Sequence, residues 1–205
     1  MIKNDYKGVL VAFDGPNGSG KTTLVDKVKK VLVTHGYSVY ATKEPTSTEL
    51  GDYVRAFSEE HNGISLACMV ACDRYEHLTN EVVPKLEDGL LVLTDRYILS
   101  SLILQGMDGV DIDYIMNIND KVIKPDLQIA VYADSKRIQE RLCERDKLTR
   151  FERNNQSVEE LVFMKKGINI LNEEGVNSVE IWNNNDLDKN VDQIVSCIEQ
   201  IRRIQ

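Results

Sequence analysis

Gly15-Pro16-Asn17-Gly18-Ser19-Gly20-Lys21-Thr22 is the stretch of this 205-residue chain whose residue types and spacing specify chemistry most closely. It matches G-x-x-x-x-G-K-[ST] at every specified position, the pattern of a loop that cradles phosphate. Glycines let successive backbone N–H groups turn inward on an anion, because no Cβ forbids the dihedrals required. A helix start just after the loop adds unpaired donors and partial positive charge. Lys21 can then reach the β- and γ-phosphates of a triphosphate, and the Thr22 hydroxyl can take a position on Mg²⁺. Pro16, Asn17, Ser19 and Thr23 complete the expected ATP-binding stretch.

A triphosphate site leaves open what the phosphate is for. A GTPase switch also needs a guanine-reading Asn-Lys-x-Asp, which this sequence lacks. Two arginines, Arg74 and Arg96, fall near expected strand ends or helix starts, and a charged run spans Arg141, Glu144, Arg145, Asp146, Lys147, Arg150, Glu152 and Arg153. Phosphoryl transfer between two anions needs cations on both, and a closing segment that excludes water. Such a run is equally what a solvated face looks like, so by itself it decides nothing.

The elements that position these residues follow from periodicity. Apolar runs at Val9–Phe13, Ser38–Thr42, Leu90–Thr94, Leu127–Ala133 and Ser178–Trp182 read as strands. Helical patterns separate them, at about Lys21–His35, Ser47–Ser58, Ile64–Leu86, Ser135–Arg145, Val158–Glu173 and Leu187–Arg203. Alternation of this kind predicts a parallel sheet covered on both faces. Asp95-Arg96-Tyr97 then lies at the carboxyl end of the third strand, where ligands bind in open α/β sheets. On the helix after residue 63, Leu66, Met69, Val70 and Cys72 read as the apolar side.

Composition sets the limits. Hydrophobic residues at 42% and charged residues at 28% are those of an ordinary globular domain, and the length suits one domain over 1–205. The formal charge of −8 disfavours nucleic acid as the main partner while allowing small phosphorylated ligands in a local basic pocket. No apolar run reaches the roughly 18 residues of a membrane span. The first residues carry no apolar signal region, so a cytoplasmic location is expected. Cys68 and Cys72 with His77 make a poor metal pattern, and the four cysteines (Cys143 and Cys197 included) are expected to be buried free thiols.

Over nearly its full length the sequence resembles the thymidylate kinases, a family of P-loop nucleoside monophosphate kinases. The matching elements come in order: Phe13-Asp14-Gly15 through Thr23, Thr42-Lys43-Glu44-Pro45-Thr46, Ala71-Cys72-Asp73-Arg74, Pro84 to Gly89, Asp95-Arg96-Tyr97 with Ser100, Gln105-Gly106, Lys124-Pro125-Asp126-Leu127 and Arg150-Phe151-Glu152. The P-loop is generic, whereas Glu-Pro, Asp-Arg-Tyr-x-x-Ser and Arg-Phe-Glu at these separations are specific. The resemblance implies a P-loop NTPase fold, a five-stranded parallel sheet of order 2-3-1-4-5 with flanking helices and a lid at about 141–155. It implies transfer of the γ-phosphoryl of ATP to dTMP with Mg²⁺, and a possible homodimer through helices beside the sheet.

The same resemblance implies individual roles. Asp14 would sit near the acceptor's sugar and the metal, and Glu44 would line that pocket. Arg96 would clamp the acceptor phosphate, and Arg74 would approach the base or the phosphate. Arg55, Val70, Ser100, Ser101 and Gln105 would complete the substrate site, while Asp95 would help place Mg²⁺ through water. Gly18 occupies a P-loop position that is basic in some members, so the transition-state cation falls to Arg145, Arg150 or Arg153. The departures concern the base: Val70, Leu104 and Ile168 stand where family members usually carry aromatic residues. The acceptor is therefore expected to be dTMP, or else another nucleoside monophosphate or small phosphate ester. A nucleotide-binding protein without turnover is the remaining alternative, disfavoured by the intact cationic set.

Overall fold

The computed structural model describes residues 1–145, 148–153 and 157–204, the side chains of Ser157 and Ile204 excepted. Five strands form one all-parallel sheet: β1 (Val9–Asp14), β2 (Val39–Lys43), β3 (Leu91–Asp95), β4 (Leu127–Tyr132) and β5 (Ser178–Trp182). Their spatial order is β2-β3-β1-β4-β5, with β1 at the centre, as the resemblance implies. Each expected strand is present to within a residue or so.

β1 and β4 are buried along their whole length, because helices cover both faces. Period-two alternation sorts their side chains. Val9, Val11, Phe13, Leu127, Ile129 and Val131 turn toward α1 (Lys21–Thr34) and α10 (Leu187–Ile204). Leu10, Ala12, Ala130 and Tyr132 face the opposite layer. That layer holds α3 (Gly63–His77), α5 (Ile98–Met107), α6 (Ile112–Ile118) and α9 (Ser157–Glu173).

The remaining helices are α2 (Glu49–Glu60), α4 (Val83–Glu87), α7 (Ser135–Cys143) and the single turn α8 (Arg150–Arg153). The expected helix over Ile64–Leu86 is one continuous rod, but it contains a π-helical turn at Leu78–Val82. The widened turn precedes Pro84, which has no N–H for the carbonyl of residue 80. α5, α6 and α8 went unread in the sequence. α5 (Ile98-Leu99-Ser100-Ser101-Leu102-Ile103-Leu104-Gln105-Gly106-Met107) is buried almost all round, so it shows no polar face from which to read a period.

The cysteine expectation fails. Cys68, Cys72 and Cys143 are exposed and Cys197 is half-buried, all as free thiols. The inner side of α3 is instead Leu66, Ala67 and Ala71 with the polar Asp73, Arg74 and His77. Cys72 leaves the expected apolar side, and Met69 and Val70 are only partly covered. Among the described residues no helix is long and apolar enough to cross a membrane.

Candidate active site

Register brings the chemistry to one edge. Phe13 of β1 lies opposite Asp95 of β3, so the loops that follow both strands leave the sheet together at its carboxyl end. Gly18 and Gly20 have φ of +79° and +93°, a region that favours glycine, and these turns carry the loop into α1. Lys21 folds back along the loop, donating Nζ to the carbonyls of Gly15 at 3.0 Å and Pro16 at 2.9 Å. Burial, aided by the charge of Arg96, lowers its ammonium to about 7 against the pull of Asp95, Asp14 and Glu160.

Thr22 Oγ1 donates to Asp95 Oδ2 at 2.5 Å. The other oxygen of Asp95 is buried, with no hydrogen-bond partner among the described residues. A hydroxyl and a carboxylate with a spare oxygen are hard donors, suited to a hydrated Mg²⁺. Arg96 takes φ +78°, a conformation that non-glycine residues rarely hold without a surrounding reason. Its N–H donates to Phe13 O at 2.8 Å. Its guanidinium reaches Asn17 Oδ1 at 2.6 Å and Ser100 Oγ at 3.1 Å.

Two recesses meet at this loop. The first, about 280 Å³, is walled by Glu44, Arg55, Val70, Arg74, Arg96, Ser100, Ser101 and Gln105, which the sequence singled out. Asn17, Val54, Leu66, Leu104, Thr149 and Phe151 line it too. Gln105 Oε1 is buried in this wall without a partner among the described residues. Leu66 and Val70 thus face the cavity, and Phe151 is the one aromatic ring among its described lining residues. The second recess, about 430 Å³, lies on the other side of the loop between Gly18, Gly20 and Thr23 and the residues Arg141, Arg145, Asn183, Asn184 and Asn185. Arg141 donates to the carbonyls of Gly18 and Ser19, each at 3.1 Å, and Asn183 Nδ2 to Ser19 O at 2.8 Å.

Several of the expected site residues also brace the scaffold. Asp14 is not among the residues that line the cavity. It is fully buried, its Oδ1 accepting Tyr97 N–H and Ser100 N–H at 2.9 Å and Ser100 Oγ at 2.5 Å, while Gln128 Nε2 donates to Oδ2 at 3.0 Å. From β1 it satisfies donors at the start of α5, the work of an N-cap. Arg74 is 1% exposed, and four of its donations brace the scaffold: to Glu44 at 2.8 Å, Asn119 at 2.7 Å, Ser101 at 2.9 Å and Tyr97 O at 3.2 Å. Arg55 grips Pro45 O and Thr46 O, both at 2.7 Å, which fixes the loop after the cis Glu44–Pro45 bond. Ile168 belongs to the core and does not line the cavity.

The three arginines of the expected lid separate. Arg145 borders the P-loop recess and pairs with Glu152 at 2.5 Å. Arg150 forks Asp108 at 2.8 and 2.7 Å and donates to Ser58 O, and Arg153 pairs with Glu59 at 2.8 Å. Both are held on the far rim, over α2 and the end of α5. Residues 146, 147, 154 and 155 of the expected lid lie outside the described residues. Sequence reasoning assigned Asn17 only to ATP and missed Arg141, Asn183 and Glu160. Arg141 stood in the charged run; the two others carry no local signal.

A family model described as thymidylate kinase matches residues 13–194. A thymidylate kinase of Caldicellulosiruptor saccharolyticus is 43% identical over 131 residues, covering 60% of this chain and 64% of that relative's length. One of Finegoldia magna is 30% identical over 206 residues, covering 95% of this chain and 98% of the relative. The crystal structure of thymidylate kinase from Ehrlichia chaffeensis shares the fold, with a TM-score of 0.70 at 22% identity over 94% of this chain and 98% of that one. With most of its length matched, the chain belongs to the thymidylate kinase family.

Proposed function

We propose that this protein transfers the γ-phosphoryl group of ATP to dTMP, giving dTDP and ADP. The observation that carries the reading is the shared loop: Asn17 lines one recess and Gly18 the other, Arg96 lines the first, and Lys21 of the same loop is near enough to feel its charge. Two substrates can therefore meet end to end, with cations at the point of transfer. The acceptor phosphate oxygen attacks directly and needs no protein base, so positioning and charge are the whole task. Arg96 orients the acceptor phosphate, Lys21 and the loop amides hold the donor, and Arg145 supplies lid charge. Thr22 and Asp95 would hold Mg²⁺, which would offset the negative charge of the donor phosphates.

The aliphatic wall of Val70 and Leu104 favours a second acceptor reading, the same transfer to another pyrimidine nucleoside monophosphate. ADP release with ATP and Mg²⁺ against a panel of nucleoside monophosphates tests both. Turnover is expected, fastest with dTMP. Activity with another acceptor alone keeps the chemistry and discards thymine, while no turnover with any sinks the kinase reading.

The protein works in the cytoplasm as a homodimer in this reading. Ile64, Cys68 and Cys72, exposed at four-residue spacing on α3 with Tyr114 beside Cys68, support the dimer. A light-scattering mass of one 23.3 kDa chain rather than two would refute it.

A further inference from the structure

Glu160, in the first turn of α9, is only 3% exposed although it is a carboxylate. Its Oε2 accepts the backbone N–H of Asn17, inside the phosphate loop, at 3.0 Å. Asn17 in turn accepts Arg96 through Oδ1. Arg96 and Lys21 attract the charge of Glu160, and Glu152 repels it. A buried carboxylate persists only where its partners offset the loss of water. Its one direct partner here is a phosphate-loop N–H, with the charge of Arg96 nearby, groups that a phosphate oxygen would use.

We propose that Glu160 is a positioning residue that stands in for a phosphate: it ties α9 to Asn17 and the cations in the nucleotide-free protein, and an entering nucleotide phosphate displaces it. The assignment rests on the phosphate-binding role given to the loop above. One backbone N–H cannot be donated fully to two anions at once, so occupancy of the Asn17 N–H is exclusive. Burial pushes the Glu160 carboxyl upward despite its favourable neighbours, which makes it the weaker claimant against a triphosphate.

ATP binding to wild type, Glu160→Gln and Glu160→Ala, measured by titration calorimetry without acceptor or metal, is the test. Both variants are expected to bind ATP about tenfold more tightly, with adenosine, which has no phosphate, bound equally by all three. Melting provides the second readout. The variants should melt below wild type when free and together with it when saturated with ATP, because the tie exists only in the free protein. Unchanged or weaker ATP binding, an equal gain for adenosine, or a melting loss that persists under saturating ATP each overturns the proposal. A wild-type protein that binds no ATP would instead refute the phosphate-binding reading, so the two failures are distinguishable.

Discussion

Lys21 is 6% exposed, and its ammonium sits at about 7 in the nucleotide-free protein because burial disfavours its charge. A triphosphate places anions beside it and must raise that value again. At pH 8 the free side chain is mostly neutral and the bound one charged, so ATP binding should take up close to one proton. Calorimetry in buffers of different ionisation heat reads this directly, and Lys21→Arg, whose guanidinium stays charged, should abolish it. No uptake by wild type at pH 8 would contradict the burial argument. Residues inside a dense motif, such as Lys21 and Thr22, were legible because their spacing fixes their geometry. The internal partners of Asp14 were hidden for the same reason that Glu160 was missed. Nothing local in the sequence says that a carboxylate one residue before the loop is saturated by Tyr97, Ser100 and Gln128, or that one on a helix 143 positions later returns to Asn17.

At the scale of elements, the sheet was readable because its strands are short apolar runs between helical patterns. α5 was not, since a helix buried all round has no polar face to mark its period. It packs against α9 and carries Ser100, Ser101 and Gln105 of the cavity wall, so this packing helps to place that wall. The close approach depends on Gly106, where an added Cβ would stand 2.9 Å from two ring carbons of Phe163. Gly106→Val should therefore push α5 and α9 apart and destabilise the fold by about 1–3 kcal/mol, a few tenths being recovered from better helix propensity. Urea denaturation measures the loss, and acceptor KM should rise in the same variant. A midpoint equal to that of wild type would mean that Phe163 swings aside freely and that the crossing is not set at Gly106.

Over the whole molecule, a chain of net charge −8 still gathers cations at one sheet edge, where several are paired internally: Arg96 with Asn17, Arg145 with Glu152 and Arg150 with Asp108. The segment expected to be a lid shows this division most clearly. Its two described ends are anchored to different recesses: Arg145, 48% exposed at its side chain, is held by Glu152 beside the P-loop, whereas Arg150 is locked to Asp108 on the acceptor rim. An exposed arginine released from one carboxylate can swing onto a transferring phosphate, and a forked, largely covered one cannot without losing its own pair. The two arginines should then fail in different kinetic constants. Arg145→Ala removes charge at the transition state and is expected to lower kcat about a hundredfold or more, some 2.7 kcal/mol, with acceptor KM nearly constant. Arg150→Ala frees Thr149 and Phe151 from the acceptor wall, and should raise acceptor KM roughly tenfold while changing kcat little. Steady-state kinetics on both variants decides the matter. If Arg150→Ala is the one that loses kcat, the lid turns over on closing, and the arginine now tied to Asp108 is the one that reaches the phosphate.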